Sequence, residues 1–89
     1  MTVIATIHVT GHPDRLVTAT DSALNAVLFD FNPSTNDDVT IIKALHAALI
    51  SKMESVRTSG TPAQARCASI AITELEGTQM RAVKALFAK

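Results

Sequence analysis

The stretch "SVRTSGTPAQAR", residues 55–66, decides the fold. Gly60 suits the end of a helix, and Thr61 followed by Gln64 forms a capping box with Pro62 at the first helical position. So short a connection allows only an antiparallel helical hairpin. Upstream, in "STNDDVTIIKALHAALISKMESV" (34–56), the apolar residues Val39, Ile42, Leu45, Leu49, Met53 and Val56 step by three or four, which predicts one amphipathic helix. Ser34, Thr35 and Asn36 are alternative N-caps, and Asp37 and Asp38 sit in the first turn, where the helix dipole favours anions. Downstream, a second helix is predicted from Pro62 to about Ala88, about 40 Å long at 1.5 Å per residue. Its apolar positions Cys67, Ile70, Ala71, Ile72, Leu75, Met80, Val83, Leu86 and Phe87 spread over more than half the circumference. Gly77 in mid-helix costs about 1 kcal/mol relative to Ala, and such a glycine marks the close approach of another backbone or a ligand.

Ahead of the helices, "TVIATIHVT" (2–10) is rich in β-branched residues and alternates, which predicts a strand with Val3, Ala5, Ile7 and Val9 on its buried face. "GHPD" (11–14) reads as a turn, and "RLVTAT" (15–20) as the return strand. "SALNAVLFDF" (22–31) is either a short helix capped by Asp21 or Ser22, or a third strand, and Asn32-Pro33 ends it. The predicted class is α+β: an N-terminal antiparallel β-hairpin or small sheet packed on a long antiparallel two-helix hairpin. Residues 1–89 form one domain in this reading, with a β-rich segment over 1–33 and the helical hairpin over 34–89. Two helices with such wide apolar surfaces cannot satisfy each other, so a symmetric homo-oligomer is expected.

The formal charge is +0, with 8 Lys/Arg against 8 Asp/Glu. Long nucleic acid is thereby excluded as a partner, because that binding needs a net basic surface. A small anion needs only a few placed cations and stays compatible. The single Cys67 rules out an internal disulfide and fits a reducing cytosol. The N-terminus lacks the pattern of a signal peptide, and no apolar run approaches the roughly 20 residues of a membrane span. A soluble cytoplasmic protein is expected, with no membrane partner.

Catalytic patterns are poor: there is no HExxH, no CxxC and no glycine-rich phosphate loop. His8, His12 and His46 have no metal-ligand spacing, so neither metal nor cofactor is expected; His8 reads as a strand-surface and His46 as a helix-surface residue. Cys67 is either a nucleophile activated by Arg66 or a small buried thiol, and the second reading is favoured. Arg66, Ser69 and Thr73 share one face of the second helix, either as a phosphate-binding face or as a solvated stripe. Phe31, one of three aromatic residues, either packs on the first helix as a staple or presents its ring to a base.

"FNPSTNDDVTIIKALHAALI" followed by "ARCASIAITELEGTQMRAVKALF" resembles the hairpin domain of a bacteriophage sponge family, the Thoeris anti-defence and anti-CBASS proteins. The shared features are an aromatic-x-Pro turn, a capped first helix, a short connection, and a second-helix motif. That motif reads Arg66, Ser69, Ala71, Thr73, Leu75, Glu76, then Met80, Ala82, Val83, Lys84 and Ala85. The resemblance covers roughly residues 29 to 87 and leans to the Thoeris branch because of the strands before the helices. It implies a protein that is not an enzyme, acting in the host cytoplasm by capturing immune signalling nucleotides without cleaving them. The implied ligands are glycocyclic ADP-ribose and cyclic di- or trinucleotides, and the implied assemblies are homodimers and homohexamers. Two pocket types follow from it, one at Phe31, Asn32, Pro33, Lys43 and His46, the other on an oligomer axis at Arg66, Ser69 and Thr73. Relatives often carry Trp where this chain has Arg81; Arg15 and Arg57 are cations without an assigned role. The competing expectation is an oligomeric helical-hairpin module that binds a host protein.

Overall fold

The computed structural model describes residues 2–89. Its elements in chain order are β1 (Thr2–Ile7), β2 (Arg15–Ala19), α1 (Asp21–Ala26), α2 (Asp37–Ser59) and α3 (Pro62–Phe87). β1 and β2 form a two-stranded antiparallel sheet, and α2 and α3 form the antiparallel hairpin. α2 is the shared element: α3 packs along it, and α1 and β2 pack against it as well. The class read from the sequence, a β-hairpin on a two-helix hairpin, is the class observed.

The caps show why these segments are helical. Asn36 is chosen from the three candidates ahead of α2, and its Oδ1 accepts from the Asp38 N–H at 2.8 Å. Thr61 and Gln64 close the capping box on α3: the Gln64 N–H donates to Thr61 Oγ1 at 3.2 Å, and Gln64 Oε1 accepts from the Thr61 N–H at 2.8 Å. α1 is a helix rather than a third strand, but it is capped by Thr20, not by Asp21 or Ser22, and it stops at Ala26. Thr20 Oγ1 and Ser22 Oγ also donate to the two carboxylate oxygens of Glu54 on α2. A half-buried carboxylate thus ties the start of α1 to the middle of the long hairpin.

The core is small and rich in alanine: Ala19, Ala23, Val27, Ala47, Ile50 and Ile72, edged by Ile4, Leu24, Ala26, Phe29, Met53 and Leu75. Small side chains let the backbones approach closely, so contact is gained by proximity rather than by side-chain volume.

Four expectations are corrected or sharpened by packing. In β1 the predicted inward face is exposed and Ile4 is the half-buried residue, because Val3 pairs with Thr18 and Ala5 with Val17, leaving Ile4 as a bulge that inverts the alternation. The strand ends at Ile7, so His8 lies just beyond it, with Nδ1 2.6 Å from Asp14 Oδ1 across the mouth of the turn. The apolar stripe predicted on α2 is only partly covered within the chain: its Leu45 and Leu49 are more than half exposed, and Lys43, outside the stripe, is buried. Cys67 is exposed, because it lies on the face of α3 turned away from α2.

Two stability measurements test this account. α1 ends in a Schellman turn, with the Phe29 N–H bonded to Leu24 O at 3.0 Å and the Leu28 N–H to Asn25 O at 3.1 Å. Leu28 occupies the left-handed position, at φ 51°, where glycine is usual, and its side chain is 61% exposed. Leu28→Gly should therefore raise unfolding free energy by about 0.5–1 kcal/mol in urea denaturation, relief of the left-handed strain exceeding the added chain entropy. Glu54→Ala should lower it by about 1–2 kcal/mol, the bonds to a charged acceptor being discounted for partial exposure, with an unchanged denaturant slope.

Candidate functional site

The segment between α1 and α2 is a sequence of interlocked turns. After the Schellman turn, the Phe31 N–H bonds back to Leu28 O at 2.9 Å and the Thr35 N–H to Asn32 O at 3.2 Å. The Asn32 amide is used within the turn: Nδ2 donates to Asn36 O at 2.9 Å and to Thr40 Oγ1 at 3.3 Å, and Oδ1 accepts from Ser34 Oγ at 2.7 Å. Thr35 is left-handed at φ 55°. Two non-glycine residues in that region bracket Phe31, a strained arrangement that persists only where the surroundings impose it.

Lys43 supplies that constraint. It is 5% exposed, and its ammonium donates to Leu28 O at 2.9 Å and to Phe31 O. No carboxylate faces it: the ion pair found among the described residues is His8–Asp14. Lys43 Nζ also lies 5.7 Å from the centroid of the Phe31 ring, within cation–π range. The outcome is a ring 64% exposed, held on a turn that is fixed from below by a buried cation. Such a ring can stack a flat heterocycle, a contact worth roughly 1–3 kcal/mol per base. Phe29, by contrast, packs against the core.

The structure brings the first set of sequence-predicted residues together with different roles. Phe31 and Pro33 are exposed, Asn32 is half-buried and Lys43 is buried beneath them. His46, half-buried, is one turn further along α2, with Nδ1 2.8 Å from Ile42 O. A carbonyl only accepts, so Nδ1 carries the proton in that bond and Nε2 is left to meet a ligand. Leu28 was missed by the sequence reading. It stands beside Phe31 on the same turn and is held by the same ammonium, and only its left-handed backbone, which the sequence does not announce, puts it there.

Arg66, Ser69 and Thr73 do lie along one face of α3, Arg66 and Thr73 exposed and Ser69 half-buried. Arg66 makes no ion pair among the described residues, and Thr73 Oγ1 donates to Ser69 O at 3.2 Å. Arg66 starts near the helical connection, level with the end of α2, so it stands about 20 Å along the helix from Lys43. One chain therefore does not bring the two sets into a common pocket. Gly77 also differs from expectation within the chain: a Cβ built on it meets nothing within 4 Å. Among the described residues, no group of three or more His, Cys, Asp or Glu side chains could hold a metal ion, and no helix is long and apolar enough to cross a membrane.

No curated protein and no solved structure matches the chain. The family model described as "Acb2/Tad1, hairpin domain" matches residues 22–87, from the second residue of α1 to the end of α3. The chain thus belongs to the Acb2/Tad1 hairpin family, the phage anti-CBASS and anti-Thoeris sponge proteins that sequester signalling nucleotides rather than transform them.

Proposed function

We propose that this protein is a phage-encoded sponge that holds glycocyclic ADP-ribose or a cyclic di- or trinucleotide intact in the host cytoplasm, so that the bacterial effector is never switched on. The observation that carries this reading is the Phe31 ring, 64% exposed on a turn fixed by Lys43. The base stacks on Phe31, with Leu28 and Pro33 as apolar neighbours. His46 Nε2 supplies one polar contact. The Lys43 charge, shielded from water and without a carboxylate partner, favours an anionic ligand above it. The β-hairpin ahead of the helices favours the Thoeris-type ligand.

Self-association belongs to the same reading. Ile41, Leu45 and Leu49 form a row along α2, exposed to 54%, 55% and 51%. A second copy covers that row, and larger assemblies gather several Arg66 side chains around an axis. Cations so gathered repel one another until a cyclic anion binds, so Arg66, Ser69 and Thr73 form the trinucleotide site and its ligand strengthens the assembly. The same apolar row supports the second reading, a module that docks a host protein and no nucleotide.

In isothermal titration with glycocyclic ADP-ribose and a panel of cyclic di- and trinucleotides, at least one ligand should bind stoichiometrically and be recovered intact after denaturation. A flat response across the panel, together with a host protein lost on Leu45→Asp, would establish the second reading instead. Phe31→Ala should weaken the ligand of the turn by about tenfold or more while leaving far-UV circular dichroism unchanged. Lys43→Met should weaken the same ligand without touching it, accompanied by faster amide exchange at Phe31. Arg66→Ala should abolish trinucleotide binding and leave the subunit count unaltered; unchanged affinity would remove the second site.

A further inference from the structure

Lys43 fixes the turn as far as the Phe31 carbonyl. The chain beyond it runs through the left-handed Thr35 and needs a hold of its own. Asn32, the residue directly after the ring, supplies it. Its carbonyl accepts from the Thr35 N–H at 3.2 Å. Its side chain donates through Nδ2 to Asn36 O at 2.9 Å and to Thr40 Oγ1 at 3.3 Å, and accepts at Oδ1 from Ser34 Oγ at 2.7 Å. Thr40 stands in the first turn of α2, so this one amide joins the ring-bearing turn to the start of the long helix.

Chemistry fixes the direction of every bond in this circuit. Asn36 O can only accept, so the group facing it is the amide NH2 and not Oδ1. Ser34 Oγ accepts from the Asn36 N–H at 3.2 Å, which leaves its own hydrogen for Asn32 Oδ1. Both Asn32 donors are therefore spent inside the protein, and Oδ1 is engaged as well. An aspartate has the same shape, but it would set a carboxylate oxygen against Asn36 O. An amide so placed has no N–H left with which to read the edge of a base.

We infer that Asn32 is a positioning residue of the nucleotide site, acting on the ligand through Phe31, with Thr40 as its anchor on α2. This rests on the reading that the ligand stacks on Phe31. Asn32 lies in the pocket, but its duty is to hold the ring still. Loosening the turn lowers the fraction of chains whose ring is in place, and the apparent affinity falls in proportion. Stacking is tolerant of base identity, because every base has a flat face. Asn32 thus strengthens the grip on any stacked base without distinguishing adenine from guanine.

Titration calorimetry with glycocyclic ADP-ribose, a cyclic diadenylate and a cyclic diguanylate tests this on the wild type, Phe31→Ala, Asn32→Ala and the double variant. Asn32→Ala should weaken every ligand that Phe31→Ala weakens, and by one common factor, about tenfold if a tenth of the chains keep the ring in place. In the Phe31→Ala background the same change should cost about twofold or less, since no ring is left to position. Thr40→Val should weaken the same ligands, and Thr40→Ser, which keeps the hydroxyl oxygen, should recover most of the loss. Amide exchange at Phe31 and Thr35 should quicken in Asn32→Ala and Thr40→Val and not in Thr40→Ser. An equal loss in both backgrounds, or a changed ranking of the adenine and guanine ligands, would show that Asn32 touches the ligand. That result would overturn the positioning role and leave the sponge reading standing. A wild type that binds none of the three, or a Phe31→Ala variant that binds them all unchanged, would remove the stacking site itself and the positioning role with it.

Discussion

Gly60 has no room for a side chain. A Cβ there would lie 2.5 Å from the carbonyl oxygen of Val56 and 2.9 Å from Gln64 Oε1. Its φ of −86° is open to any residue, so glycine is required here by contact and not by conformation. That contact lets α2 end and α3 begin within two residues, while the capping box fixes the direction of departure. Everything else depends on the resulting alignment. With α3 laid along one side of α2, the other side is free to receive α1 and β2, and the alanine positions of the core come within reach of one another.

The alignment also leaves α2 with too many duties for one amphipathic stripe. It faces α3, the N-terminal elements and the turn that carries Phe31, and it still presents Ile41, Leu45 and Leu49 outward. Lys43 lies where a regular pattern would put a hydrophobic residue. An aliphatic side chain could fill that space but could not bind the carbonyl oxygens of Leu28 and Phe31. A buried ammonium costs several kcal/mol in desolvation unless it is well solvated by the protein. Carbonyl dipoles supply that solvation without cancelling the charge, unlike a carboxylate. The turn is thereby held, and it keeps a positive potential beneath an exposed ring.

Much of the fold was legible in the sequence because its signals are local. Asn36, Gly60, Thr61, Pro62 and Gln64 act within one helical turn, and each is found at the helix end it announced. The strand faces were not legible: the Ile4 bulge is set by pairing with β2 and by burial against the core, neither of which alternation contains. Which part of the α2 stripe is covered was not legible either, since periodicity reports that a face is apolar and not what covers it: Leu45 and Leu49 stay exposed. In the candidate site, Phe31 and its turn could be singled out by residue type and the Asn-Pro step. The role of Lys43 could not, because a lysine on a helix gives no sign that its ammonium folds back under a loop twelve residues earlier.

The bulge at Ile4 bears on how the N-terminal hairpin behaves on its own surface. β1 is an edge strand, and its Val3 and Ile7 are exposed. A long, flat, apolar edge is a template on which further strands add, the route to sheet-like aggregates. An extra residue in the middle of a six-residue strand interrupts the regular row of donors and acceptors and increases the local twist. An incoming strand can match the first half of β1 or the second, but not both in one register. The irregularity that brings Ile4 to the core thus also protects the chain from uncontrolled strand addition while leaving its helical faces open to specific, countable contacts.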